Sequence, residues 1–588
     1  TPLYSSAASD VYKRQQYNVR RTTGASTVTF EDAAGTLGSY AFEIDELAAN
    51  SAAGRIRWTS TLTTLTWNGS QTGGFWSDAL NWTPNFVPTA TDAVILSTSG
   101  NAPVINADAN ALNLTNPSGV TLTITSNANL TIAGSLTNAG IITVQTGSAS
   151  NISVGGAINN TGTFTNSPTS SVTLNAPSGI QDLSFGNANI QNLSINSGNG
   201  SGNAQFRTTG SLTINGNVTI AAGTLLVNNA AHTLTILGNW NQTGGTFTHG
   251  NGTVNFSNTG AGSQTITGIN TSPFFNITFT GNRPKSLAGT IAIRGTFTVS
   301  NGSNINLSNA TVNLSGNISN SGTITAGTST VNFIGTLPQQ FTTSAAVTLN
   351  NMVMNNTSTT IPQLTLNGPV TIGNGGVLTL TAGRIQTTTI NILTLNSTAT
   401  LSGGSSSSYV TGPIRKVGSA NFTYPLGTSS IYARLGISSI SSSSTYTAQY
   451  FRGTPNNTSI TYGGGLQAVS TSEYWDLSRT VGTGTALVTL HWEDGTRSGI
   501  GASLTNLRVA HWTGSLWENL GGSTLGTTSA GSVTSTIAAS SYSPFTLGSE
   551  NIAANPLPVV FKYFNGTRTT KGITLNWATA SEQNSSFF

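Results

Sequence analysis

The stretch Gly210–Trp240 reads GSLTINGNVTIAAGTLLVNNAAHTLTILGNW. Four apolar pairs each flank one central residue: Leu212/Ile214, Val218/Ile220, Leu225/Val227 and Leu234/Ile236. Alternation with a period of two puts one set of side chains on one face of a strand. The central residues Thr213, Thr219 and Thr235 then take the outward face. Asn and Gly separate the short strands. From Leu212 to Leu234 the chain advances 22 residues through three strand steps, the length of one triangular coil of a β-solenoid.

The rhythm extends from Asn101 to about Val410. TVNF stands at Thr253–Phe256 and again at Thr330–Phe333. Similar phrases precede both copies, GNWNQTGGTF (Gly238–Phe247) and GNISNSGTI (Gly316–Ile324). A third phrase, GAINNTGTF (Gly156–Phe164), precedes SVTL (Ser171–Leu174). The spacing of 77 to 82 residues predicts about four coils per long repeat. Ile214, Val227, Val254, Phe256, Val331 and Phe333 are expected to point inward. Some fifteen coils at about 4.8 Å each would make a rod of roughly 70 Å. Its open ends would be exposed sheet edges in need of cover. The segment TWNGSQTGGFWSDALNWTPNFVP (Thr66–Pro88), with Trp67, Trp76, Trp82 and Phe86, suits one end. A carbohydrate platform is the rival reading of those rings. The segment after Tyr409 suits the other end.

Charged residues are 6% of the 588, far below the roughly 25% of ordinary soluble chains. No apolar run reaches about 18 residues, so no transmembrane helix is expected. The 21 basic and 17 acidic residues leave +4, which is no nucleic-acid footprint. The chain has no cysteine, which excludes disulfides and thiol chemistry. Outward Thr and Asn can bond water and so replace charge as the source of solubility.

The expected fold class is all-β, a parallel β-helix or β-solenoid followed by an antiparallel β-sandwich. The expected division has six parts. Residues 1–15 (TPLYSSAASDVYKRQ) resemble adapter read-through and are taken as non-native. Residues 16–66 read as the tail of a preceding β-domain, and 67–100 as a Trp-rich cap. Residues 101–410 are solenoid repeats, and 411–548 a sandwich. Residues 549–588 open a further β unit after a linker, so the chain reads as an internal piece of a longer protein. Strand-like pieces of the sandwich are TYTAQYF (Thr445–Phe451), TALVTLHW (Thr485–Trp492), LRVAHW (Leu507–Trp512) and SPFTLG (Ser543–Gly548).

Several segments carry a family resemblance. The Trp-rich stretch resembles the opening of β-helical repeat regions in large surface proteins exported by type IX secretion. YVTGPIRKVG (Tyr409–Gly418), FTYPLG (Phe422–Gly427), EYWDLSRT (Glu473–Thr480), LRVAHWTGSLWENLG (Leu507–Gly521) and YSPFTLGS (Tyr542–Ser549) resemble the sandwich that follows those repeats. LPVVFKYFNG (Leu557–Gly566) and LNWATASEQN (Leu575–Asn584) resemble the start of the fibronectin-like module preceding a C-terminal sorting domain. The resemblance implies secretion, a location outside the cell or on its surface, and the secretion machinery as partner through that sorting domain. It implies no catalytic residue.

Polysaccharide lyases and hydrolases on β-helices need clustered carboxylates. Between Asn101 and Val410 the only acids are Asp108 and Asp182, more than three coils apart. The basic residues Arg207, Arg283, Lys285, Arg294 and Arg384 are scattered. His232 and His249 have no acid near them in sequence, so no metal site is expected. In the sandwich, Glu473, Asp476 and Arg479 lie close together, as do His491, Glu493, Asp494 and Arg497. HWEDGTRSG reads as a strand entering an Asp-Gly turn, with a calcium site as the rival. Trp475, Trp492, Trp512 and Trp517 are the candidate ligand-contact residues, against a core role. No enzyme activity, cofactor or metal is expected. The reading is a structural or adhesin-type stalk with glycans or matrix components as partners. The rivals are the carbohydrate-binding part of a larger polysaccharide-active enzyme, and an ice-binding solenoid built on arrays such as TLTIT (Thr121–Thr125).

Overall fold

In the computed structural model the opening stretch forms strands Leu212–Ile214, Val218–Ala222, Thr224–Val227 and Thr233–Ile236. The paired apolar residues are buried and Thr213 is exposed, as period-two alternation requires. The structure describes residues 18–20, 27–32, 35–45, 55–59, 64–186, 188, 190–197, 204–258, 260, 262–455, 461–555, 557, 561–569 and 572–579. Residues 1–15 lie outside them. The molecule is all-β, with a parallel β-solenoid of about 15 turns across residues 93–416. Among the described residues helix is confined to the turns Ala79–Asn81 and Gly495–Ser498. Two compact units are present. Of the described residues, the first runs to Asn228 and includes His232–Leu234 and Gln242–Phe247; the second holds the rest.

Near the start of the first unit, Asn18–Arg20, Thr27–Asp32, Gly35–Asp45 and Arg55–Thr59 make an antiparallel sheet. Its solenoid coils then have three faces. Asn113–Asn116, Leu136–Asn138 and Ile158–Asn160 stack in register on one. Thr121–Ile124, Ile141–Val144 and Thr163–Thr165 stack on the second. Leu130–Ile132, Asn151–Val154 and Ser171–Leu174 stack on the third. Inward residues meet their own kind one coil away, as Leu114 meets Leu136 and Leu122 meets Ile142. Each fully buried side chain of this type is worth about 1.5–3 kcal/mol.

A polar column runs inside the corner between the first two faces. Asn116, Asn138 and Asn160 are fully buried. The Asn116 amide donates to Asn138 Oδ1 at 2.7 Å, and Asn138 to Asn160 Oδ1 at 2.6 Å. Each amide also donates to a backbone carbonyl of the following coil: Ile141, Thr163 and Phe185. Buried amides need such partners. The glycines two residues beyond Asn138 and Asn160 have a steric cause. A Cβ on Gly162 would stand 2.1 Å from the carbonyl oxygen of Gly140.

At the N-terminal edge, Thr64–Trp67 pairs in parallel with Ala93–Ile95 and antiparallel with Trp82–Thr83. Trp67, Trp76 and Trp82 are fully buried and meet edge to face, with centroids 4.9 Å apart for Trp67–Trp82 and 4.7 Å for Trp76–Trp82. The indole N–H groups of Trp67 and Trp82 donate to the Asn101 and Trp76 carbonyls at 2.8 Å. Rings this enclosed present no face to a sugar. Phe86 is half-buried.

The second unit is itself built of parallel ladders, as in Val312–Val331–Met352–Leu378. Phe256 and Phe279 stack inside it at 5.9 Å. The two TVNF copies fall on different ladders. Thr253–Ser257 pairs with Asn276–Thr280, whereas Thr330–Phe333 pairs with Thr311–Leu314 and Asn351–Asn355. The 77-residue match is therefore not a whole number of coils. Coil length varies, with hydrogen-bonded positions on stacked coils 19 residues apart at Asn313–Asn332 and 26 at Asn351–Val377.

The last coils pass directly into antiparallel structure. Ile414–Gly418 pairs in parallel with Leu393–Leu395 and antiparallel with Ser444–Arg452. That sheet continues through Glu473–Val481, Pro544–Ser549, Leu507–Trp512 and Trp517–Asn519. A second antiparallel sheet has the order Phe422–Tyr424, Leu435–Ser438, Leu487–Trp492, Gly531–Thr534 and Ser523–Gly526. Phe561–Thr569 pairs antiparallel with Gly572–Thr579.

Candidate functional site

The chemistry-bearing residues of the solenoid are engaged locally. Asp182 and Arg207 occupy facing positions on neighbouring coils and form a bidentate pair at 2.6 and 3.0 Å. The guanidinium holds the Asp182 carboxyl below its usual range. Asp108 accepts from the Asn129 backbone N–H at 2.9 Å and from its side-chain amide at 3.1 Å. His249 packs on Phe275 at 5.4 Å, and burial with Arg294 nearby lowers its pKa.

Lys285 is fully buried and donates to the Gly281 and Arg283 carbonyls at 3.2 and 3.0 Å. Burial lowers its pKa to about 8. Lys416 repeats the device on the Asn396, Ser397 and Ala399 carbonyls. Sequence reading counted Lys285 only as a scattered cation. An inward lysine on the same side of its strand as Leu287, Ile291 and Ile293 could have been found by register alone.

In the C-terminal sheets the four candidate tryptophans separate. Trp475 and Trp492 are 0% exposed and Trp517 2%, so none offers a ring face to a ligand. Trp475 and Trp492 donate to the Ala433 and Thr527 carbonyls. Trp512 alone is half-buried, 5.5 Å from Trp517. Burial thus favours the core role for these three rings over the ligand-contact role. HWEDGTRSG also differs from expectation. Asp494 caps the helical turn Gly495–Ser498 by accepting from the Arg497 N–H, and Gly499 closes it at φ 69°. Glu493 pairs with Arg434 at 2.6 Å. His491 is pushed down to about 4 by burial, with Arg434 adding to the shift.

Two side-chain clusters escaped the sequence reading. The first joins Ser543, His511 and Glu518. Ser543 Oγ lies 3.0 Å from His511 Nε2, and His511 Nδ1 lies 2.7 Å from Glu518 Oε1. Hydroxyl, imidazole and carboxylate in that order resemble an acyl-transfer triad. Three features oppose catalysis. Ser543 Oγ also donates to the Trp512 carbonyl. Residue 544 is proline, without the N–H that could hold an oxyanion beside the serine. The imidazole is buried on Phe545 at 4.6 Å. The cluster therefore fastens the strands Leu507–Trp512, Trp517–Asn519 and Pro544–Ser549 together. Its signal lay in LRVAHWTGSLWENLG and YSPFTLGS, which carry all three residues.

The second cluster borders an open groove of about 510 Å³ between the last coils and the strand Ser444–Arg452. Gln386, Thr388, Ser429, Gln449, Phe451 and Arg452 are among its lining residues. Beneath it Glu473 is fully buried and accepts from the Tyr450 hydroxyl at 2.7 Å. Its Oε1 has no protein partner. Arg452 stands 3.9 Å from Glu473 Oε2 and is 40% exposed at its side chain. Phe451 and Tyr474, cross-strand neighbours, stack at 4.9 Å with 10° between their planes.

Fold and geometry thus define a class, the parallel β-solenoids with an antiparallel C-terminal extension. A family model described as a domain of unknown function (DUF8693) matches residues 66–175, which hold Trp67, Trp76, Trp82 and the Asn116–Asn138–Asn160 column. No curated protein and no solved structure matches the chain.

Proposed function

We propose that this chain is a non-catalytic stalk of a secreted or surface-held structural or adhesin-type protein. In this reading its two C-terminal antiparallel sheets form a sandwich that serves as the contact module. The observation that carries it is the state of the two solenoid carboxylates: Asp108 holds Asn129 and Asp182 holds Arg207. Neither is paired with a second acid as glycoside hydrolysis requires. The outward ladders, such as Thr123–Thr143–Thr165, offer hydroxyls and amides, which make many weak contacts. Export by type IX secretion rests on the resemblance of the Trp-rich and sandwich motifs. The test is incubation of the purified chain with pectin, alginate and chitin, beside its retention on glycan-coated surfaces. Retention without turnover is expected. Turnover that disappears in Asp182→Asn would overturn the reading.

A further inference from the structure

The groove beside Arg452 has the chemistry of a saccharide cleft. Its volume of about 510 Å³ lies within the roughly 300–1,000 Å³ of ligand clefts. Several of its lining residues, among them Thr388, Ser429 and Gln449, carry hydroxyl or amide groups, the partners that sugar hydroxyls require. Among the described residues no carboxylate lines it, and Arg452 is its one charged lining residue. Arg452 is only partly engaged. Its Nη1 meets the Arg497 carbonyl at 3.3 Å, and its ion pair with Glu473 is stretched to 3.9 Å. A guanidinium in this state can still take a carboxylate through paired N–H groups. Phe451, the next residue along the strand, stacks on Tyr474 on the opposite face from Arg452, Tyr450 and Glu473. Glu473 and Tyr450 beneath fix the strand that carries both residues.

We propose that this groove binds a uronate-bearing polysaccharide, with Arg452 on the sugar carboxylate. The proposal rests on the contact reading above and names its ligand class and site. It also moves the ligand surface away from the buried tryptophans, to residues the sequence reading did not single out. Polygalacturonate, dextran and poly-L-glutamate serve as probes in affinity electrophoresis of the full chain. Retardation by polygalacturonate alone is expected, weakening as salt rises. Arg452→Ala should reduce affinity roughly ten-fold or more, the scale of a lost charge-assisted hydrogen bond. Arg452→Lys should recover only part of it. Equal retardation by dextran would overturn the role of the carboxylate. Equal retardation by poly-L-glutamate would overturn the saccharide. Unchanged binding in Arg452→Ala would overturn the groove, and if that variant still adheres to glycan-coated surfaces the stalk-and-contact reading survives without it.

Discussion

Val331 and Thr213 show how much one position of register decides. Val331 is 2% exposed and faces the core; Thr213 faces solvent. Val331→Asp loses the transfer energy of the valine and buries a charge, a cost of about 3 kcal/mol or more. Thr213→Asp should stay within about 0.5 kcal/mol. Chemical denaturation of both variants checks the pair. The alternation made these positions legible, but inward polar groups were not, because a buried Asn and an exposed Asn are the same letter. Asn138→Ala would strand the Thr163 carbonyl and one acceptor of Asn160, at about 1–3 kcal/mol for each group. Thr137→Ala, one residue away and exposed, should change little. Lys285 adds a pH signature. Its folded pKa is about 8 against 10.5 for a free lysine. Between those values the unfolded chain binds more protons, so stability should rise with pH through that window. Below about pH 8 both states are charged and the burial penalty is constant. Melting temperatures of the parent should climb across the window, and those of Lys285→Met should climb less.

At the level of strands and corners, short alternating segments marked the ladders, and the strands of Gly210–Trp240 fall where the apolar pairs do. The long repeat misled in phase, since its TVNF copies sit on different ladders. What the repeated phrases share is the corner, where Asn160, Gln242 and Asn320 are all buried. Composition could reveal the corner residue but not the coil length, which loops of variable size set. The edge strands have a common form, parallel to one neighbour and antiparallel to the other. At the first edge the interlocked tryptophans carry the packing. Trp82→Ala should cost about 3–5 kcal/mol, and amide exchange at Thr64–Trp67 should quicken before exchange at Leu136–Asn138. Uniform acceleration of both would show that the edge and the coils open as one. The groove and the Ser543–His511–Glu518 cluster were hidden for a different reason. Each joins residues from separate strands, and only the sheet order brings them together.

Taken whole, the molecule has two kinds of wiring. The Asn116–Asn138 and Asn138–Asn160 bonds each bridge 22 residues, and stacked coils elsewhere stay within a similar reach. The C-terminal sheets are wired across longer distances, as where Tyr446 meets Tyr542 over 96 residues. Loop closure grows costlier and slower with separation. A solenoid coil can thus settle onto its predecessor once about two dozen further residues have left a ribosome or a membrane pore. The C-terminal sheets must wait for nearly their entire sequence. Stalking the chain through a pore and probing it with protease should reveal protected coils long before a protected C-terminal module. The order of assembly is written in the spacing of the bonds: growth at a moving end, like courses laid on a wall, followed by a single late closure.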